Sequence, residues 1–365
     1  MTRFALAITA LLAAAYAYVA SRLASGPVSA AALAVPFLLI WILPVYYWGT
    51  SRSREGLIDK LLHRASYLSM AWVSFALAFT LLRDLALVAT LWTPAIHTMV
   101  VTAGVPIVLG GSVFAMVVGA VAAFSGPRIE RIDLPVAGLH RDLEGLRIVQ
   151  ISDLHVGPNI GRRYVQRVVD LSRSLQPDLV VLTGDIVDGP VERLAPQVAP
   201  LAELAKAGSA YFILGNHDCY AGADAWIAHF RQMGMTVLLN AHTIVQRGKA
   251  RLLIGGVVDP AYGRLRPEIS IANQAADFRL LLAHNPRLAP LGAAAGFDLQ
   301  LSGHTHAGQF FPWTLAVRLV HAPHVAGLSR EGAMTVYVSA GTGTWGPPVR
   351  FGTNPELTLV RLVRA

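Results

Sequence analysis

The apolar residues of this 365-residue chain are gathered into long runs before Ser125. That gathering limits the possible folds more than any other feature. Phe4 to Ala20 carries no charge, and Ala30 to Gly49 is a second uncharged run that ends in Trp41, Tyr46, Tyr47 and Trp48. Tyr67 to Leu82 is a third, closed by Arg83-Asp84, with Leu85 to Trp92 either extending it or lying along the interface. Thr98 to Phe124 is a fourth. Each is near the ~20 residues that a spanning helix needs, and rings gathered at one end of a run suit the membrane–water boundary. With 54% hydrophobic and only 14% charged residues, the chain is too apolar for an ordinary soluble domain. The reading is an α-helical transmembrane region over residues 1–125, with about four helices. Arg3 and the apolar run after it also fit a signal peptide, but three more runs follow closely and favour a retained span.

Lysine and arginine in short loops set orientation. With four spans, Arg3, Arg52, Arg54, Lys60, Arg64, Arg128 and Arg131 share one side, and Arg22 and Arg83 occupy the other. The part after residue 125 is therefore expected in the cytoplasm, attached to the inner membrane. The single cysteine, Cys219, excludes an internal disulfide. The net charge of +8 comes from dispersed arginines, so anionic lipid and loop bias explain it better than nucleic acid does, and no nucleic-acid partner is expected.

Residues 126–144 read as a linker in which Ile132 to Pro135 can form an edge strand. Residues 145–365 are enough for one full core. Arg147 to Ile151 reads as a buried strand and runs into Ser152-Asp153-Leu154-His155. Four later apolar runs end in the same way. Asp178 to Thr183 reaches Gly184-Asp185, and Ala210 to Leu214 reaches Gly215-Asn216-His217-Asp218. Arg279 to Ala283 reaches His284-Asn285, and Leu299 to Ser302 reaches Gly303-His304-Thr305-His306. Open α/β sheets place their sites at such carboxyl ends. Arg163 to Leu175, Val191 to Ala207 and Ala223 to Met233 read as helices. Met235 to Leu239, His242 to Gln246 and Arg251 to Val258 read as strands of a second sheet. The expected domain is α/β, a two-sheet sandwich flanked by helices.

In this order these strand exits resemble the calcineurin-like metallophosphoesterases, over roughly Gly145 to the C-terminus. The longer run His304-Thr305-His306-Ala307-Gly308-Gln309 and the late Val338 to Gly346 stretch are similar to the membrane-associated bacterial branch. That branch includes phosphodiesterases and UDP-diacylglucosamine pyrophosphohydrolases of the lipid A pathway. The resemblance implies two divalent metal ions, manganese in the first place and iron or zinc as alternatives. It gives Asp153, His155 and His306 to one metal, Asn216, His284 and His304 to the second, and Asp185 to both. Hard or borderline cations take such oxygen and imidazole donors. Two dications roughly 3.5–4 Å apart need a shared carboxylate and turn a bridging water into hydroxide that attacks phosphorus. His217 is then the group facing the leaving oxygen or a phosphoryl oxygen, with Asp218 able to orient its ring.

The glycines before Asp185, Asn216 and His304 are expected to permit sharp turns. Cys219 reads as a filler beside the site, and Arg162-Arg163 as a solvated helix start. His321 and His324 lie near the site in sequence. Phe310-Phe311-Pro312-Trp313 opens an apolar stretch to Val320, either packed core or an apolar cap in which Phe310, Phe311 and Trp313 meet substrate. The expected function is a membrane-anchored phosphoesterase acting on a phosphodiester or pyrophosphate of a lipid or nucleotide-linked lipid. The alternatives are a soluble phosphate ester as substrate, or a membrane sensor or scaffold with a non-catalytic domain.

Overall fold

A computed structural model describes residues 2–41, 56–205, 209–268 and 275–365, and side chains from residue 6 onward. The chain divides into two compact units. One holds residues 1–121 with Gly346–Phe351, and the other holds Ala122–Trp345 with Gly352–Ala365.

The first unit is helical: α1 (Thr2–Leu23), α2 (Pro27–Ile40), α3 (Leu57–Ala89) and α4 (Pro94–Phe124). Among the described residues, α1, α3 and α4 contain stretches long and apolar enough to cross a membrane, and α2 is apolar but has only 14 residues. The second apolar run therefore continues outside the described residues, as do Tyr46, Tyr47 and Trp48. Of the two alternatives for the residues after Arg83-Asp84, the structure shows the extension: α3 continues through the pair to Ala89. The charges are accommodated, because Asp84 accepts a hydrogen bond from the Tyr18 hydroxyl and lies 2.9 Å from Arg22. Buried Val19, Phe37, Val73 and Val108 pack the centre of this unit.

The second unit is built on two six-stranded mixed sheets. Its strands are β1 (Arg128–Val136), β2 (Arg147–Ile151), β3 (Leu179–Thr183), β4 (Ala210–Ile213), β5 (Thr236–Val237), β6 (Ala241–Arg247), β7 (Ala250–Gly256), β8 (Phe278–Leu282), β9 (Leu299–Ser302), β10 (Gly327–Glu331), β11 (Met334–Val338) and β12 (Glu356–Arg364). The first sheet runs β1-β12-β2-β3-β4-β5 and the second β10-β11-β9-β8-β7-β6. Strands β2 to β5 are parallel to one another, as are β7, β8, β9 and β11. Two expectations change. Residues 128–136, read as linker with an edge strand at Ile132–Pro135, form a longer edge strand that pairs with β12 along nine residues. The Met235–Leu239 stretch supplies β5 at the edge of the first sheet, not the second.

Alternation along β2 shows how these residues make a sandwich. Ile148 joins the core that both sheets share, with Val181, Leu280 and Leu301. Val149 and Ile151 point the other way, into a core with Val165, Val169 and Trp226 of the helices. Buried Gln150 spans the sheets by donating to Thr183 Oγ1 and to the Ser302 carbonyl, both at 2.9 Å. The helices are α5 (Arg162–Ser174), α6 (Val191–Val198), α7 (Ala202–Ala205), α8 (Asn216–Tyr220), α9 (Ala223–Gln232), α10 (Ala289–Ala295) and α11 (Trp313–His321). The single helix expected over Val191–Ala207 is broken at Ala199–Leu201, where Pro200 removes a backbone donor; residues 206–208 are outside the description.

Candidate metal centre

Parallel strands from both sheets end at one place. Asp153 and His155 follow β2, Asp185 follows β3, and Asn216 with His217 opens α8 after β4. His284 follows β8, and His304 and His306 follow β9. The seven residues expected as ligands are thus brought together. Asp153, His155 and His306 form one group whose ligand atoms lie within 4.8 Å, and Asp185, His284 and His304 form another. Asn216 Oδ1 is 3.0 Å from His304 Nδ1, which adds it to the second group.

The backbone is bent to achieve this. Asp153, His155, Asp185, His304 and His306 all have positive φ, between 51° and 71°. Non-glycine residues avoid that region, at about 1–3 kcal/mol each. The surrounding hydrogen bonds hold them there. The N–H of Asp153 donates to the Gly184 carbonyl, and that of His155 to the Asp185 carbonyl. The N–H of His304 donates to Asp153 Oδ1 at 2.9 Å. From the late Val338–Gly346 run, the N–H groups of Thr342 and Gly343 donate to the carbonyls of Ser152 and Asp153. Of the three glycines, only Gly184 needs its left-handed φ of 88°. Gly215 and Gly303 serve by their size, because an added Cβ would meet the carboxylates of Asp185 and Asp153.

The donor chemistry fits cations. His284 Nδ1 lies 2.8 Å from the Thr183 carbonyl, so its proton sits there. Its buried Nε2 is 3.1 Å from Asp185 Oδ2 yet makes no well-formed hydrogen bond. His155 Nδ1 is likewise engaged by Asp188 Oδ1 at 2.7 Å, which turns Nε2 toward His306 Nε2, 3.0 Å away. Lone pairs facing lone pairs and carboxylates require positive charge between them. Without a metal, protons must supply it. Burial disfavours the His284 imidazolium, but Asp185 outweighs burial and raises the group to about 10. His155 is raised to about 9 against the same burial, chiefly by Asp188. His304 is pushed down to about 3 by burial and by His284, so it is a neutral donor.

His217 Nδ1 is 2.9 Å from Asp188 Oδ1, the oxygen that also holds His155. Asp188, missed in the sequence, is thus the carboxylate that orients His217. Its position three residues after Asp185, just past a strand exit, was the available signal. Asp218 does not play that part. Its buried carboxylate accepts from the N–H groups of Asp185, Ile186, Val187 and Gly215 at 2.8–3.1 Å, which shapes the Asp185 loop. Burial pushes Asp188 up, but His155 and His217 hold it at about 2. His217 also falls within ligand distance of His155 and Asp185, and Trp345 and Tyr220 flank its ring at 5.7 Å.

The remaining candidates separate. Phe310 is buried, Phe311 is half-buried, and Trp313 is 52% exposed at the start of α11. Leu315, Leu319 and Val320 of that helix also face solvent. At its end, the His321 ring is 5.4 Å from that of His304. His324 is buried between Ser329 Oγ and Glu331 Oε2 and acts as a clasp on β10. Arg162 binds the Pro196 carbonyl, as a helix start. Burial raises the Cys219 thiol to about 12, so it stays protonated and inert.

Residues 146–308 match the family model of the calcineurin-like phosphoesterases. A transmembrane protein with metallophosphoesterase domain from Danio rerio is 36% identical over 264 residues, covering 68% of this chain and 60% of that protein. An uncharacterized metallophosphoesterase of Campylobacter jejuni is 30% identical, over 69% of this chain and 67% of its own length. The phosphodiesterase YaeI of Escherichia coli is 30% identical, over 60% of this chain and 82% of its own length. The chain thus spans about 60% of the vertebrate transmembrane relatives it matches. On these likenesses, and with two groups of metal-ligand side chains meeting at the ends of its parallel strands, the chain belongs to the calcineurin-like phosphoesterase family.

Proposed function

We propose that this chain is a membrane-anchored phosphoesterase that uses two divalent cations to hydrolyse a phosphodiester or pyrophosphate carried by a lipid or nucleotide-linked lipid. The observation that carries the reading is the convergence of two ligand groups on Asp185, with imidazole lone pairs aimed at its carboxylate and at each other. Asp153, His155 and His306 would hold one cation, Asn216, His284 and His304 the other, and Asp185 both. When bound, such cations supply Lewis acidity to phosphoryl oxygens and acidify water near neutral pH. The chain's own part is positioning and proton transfer. Asp188 accepts the Nδ1–H of His217, so that a proton carried at Nε2 would pass to the leaving oxygen and leave the ring neutral with its hydrogen bond to Asp188 intact. Asp218 sets the loop on which Asp185 stands.

The exposed apolar side chains of α11 support an acyl-bearing substrate, since this helix ends beside His304. The basic loops support a cytoplasmic catalytic domain, and this does not depend on whether α2 crosses. If α3 and α4 each cross once, Lys60 and Arg64 at the start of α3 share a side with Arg128 and Arg131 after α4. The test is a side-by-side assay of the manganese-loaded full chain on lipid-linked pyrophosphates, lipid phosphodiesters and a soluble aryl diester. The reading expects the acyl-bearing substrates to be turned over with the higher kcat/KM. Preference for the soluble ester would move the assignment to a soluble substrate, and no turnover of any ester would leave a binding module.

A further inference from the structure

Between α3 and α4 of the helical unit lies a groove of about 470 Å³. Its lining runs from Met99 to Ala115 along α4, about 24 Å at 1.5 Å per residue. One leaflet's hydrocarbon is about 15 Å deep. Phe79, Leu82, Met99, Ile107 and Phe114 make its walls, and among the lining residues only Arg83 is charged. A charged group on an apolar membrane helix is costly unless it is partnered.

Arg83 is held in place by the shape of α4. A Cβ on Gly104 would come within 2.5 Å of Arg83 Nε and 2.9 Å of its Cδ, so the glycine makes room for the side chain. Its Nε is buried with no hydrogen-bond partner. Among the described residues its nearest carboxylate, Asp84, is 3.6 Å away at Nη1, beyond hydrogen-bond reach. Asp84 is already engaged through Oδ2 by Arg22 at 2.9 Å and by the Tyr18 hydroxyl at 3.0 Å. Two guanidinium groups share one carboxylate, which leaves one positive charge. The other acid described in this unit, Asp59, stands near the opposite end of α3, about 37 Å away along the helix.

We propose that this groove binds one anionic glycerophospholipid, its phosphate on the Arg83 guanidinium that covers Gly104 and an acyl chain along the floor beyond it, over Ile107 and Gly111. A bilayer-spanning unit meets phospholipid on every side, and one cation set against Gly104 with an uncharged trough running on from it to Ala115 matches a headgroup and a tail. A zwitterionic lipid is a poorer match, because among the described residues lining or adjoining the groove its ammonium group would find only Asp84, whose Oδ2 is engaged by Arg22 and Tyr18 and whose Oδ1 is buried beside Arg83. Arginine suits a phosphate through its fork of donors. The site is separate from the metal centre and does not depend on its chemistry.

The test is native mass spectrometry of the full chain in detergent, titrated with phosphatidylglycerol or with phosphatidylcholine of the same acyl chains. The wild type is expected to retain phosphatidylglycerol about tenfold more strongly, the order of one charged hydrogen bond. Arg83→Gln should abolish that preference, and Arg83→Lys should keep part of it. Gly111→Leu should weaken both lipids. Its Cβ would sit at an ordinary 3.5 Å from Phe79, and the rest of the side chain would take up groove volume. If Arg83→Gln does not fold, Gly111→Leu decides by the loss of retained lipid. Equal retention of the two lipids by the wild type, an unchanged preference in Arg83→Gln, or undiminished binding in Gly111→Leu would overturn the proposal. The same preference is expected in Asp185→Asn, since that change lies outside the groove.

Discussion

His217 and Asp188 give the sharpest test at the level of single residues. His217 Nδ1 is tied to Asp188, so its role is separable from that of the seven proposed ligands. His217→Ala should keep both cations while turnover falls about 10²–10⁴-fold, the range for general acid–base groups. Loss of a cation in that variant, read by elemental analysis, would make His217 a ligand. Asp188→Asn acts on two rings at once, because one oxygen holds both His155 and His217. It should lower turnover and weaken the cation held through His155, an effect of about 10–100-fold for an outer partner of a ligand. A titration in which Asp188→Asn binds manganese as tightly as the wild type would reject that second role.

At the level of elements, α11 divides the three rings that the sequence groups together. Phe310 is 4% exposed, so Phe310→Ala should cost about 3–5 kcal/mol of stability and lower Tm. Trp313→Ala removes a half-exposed ring and should leave Tm nearly unchanged while lowering kcat/KM for an acyl-bearing substrate only. Equal loss on lipid and soluble esters, with a lower Tm, would make Trp313 a packing residue. The strand exits were legible because β2, β3, β4, β8 and β9 are short, apolar and fully or almost fully buried, and each switches abruptly to Asp, Asn or His. The residues that hold those exits were not legible. Asp188, the Asp218 loop bonds and the Thr342–Gly343 brace depend on contacts between distant segments, which no local pattern encodes. β5 went to the wrong sheet for the same reason: its partner, β4, is set by topology rather than by composition.

For the whole molecule, the apolar runs announced a membrane region, but helix ends were less legible. α3 passes through Arg83-Asp84 because Tyr18, Arg22 and Gly104 accommodate the pair, and those partners come from α1 and α4. The positive loops predict that a reporter active only in the periplasm will be silent when fused after Ala365. An active fusion would place the catalytic domain outside. Carboxylates and imidazoles packed at 3.0–3.4 Å, on a left-handed backbone, are favoured when cations lie between them. Chelation should therefore lower Tm, and added manganese should restore it. An unchanged Tm would separate the site from the stability of the fold.

In the proposed site one carboxylate, Asp185, joins two cations. Metal stoichiometry per chain, measured with turnover of a phosphodiester in the wild type and in Asp185→Asn, tests it most directly. The account predicts two divalent ions per wild-type chain, with fewer ions and no measurable turnover in the variant. Two tightly held ions and normal turnover in Asp185→Asn, or full turnover by a wild-type chain holding a single ion, would contradict it.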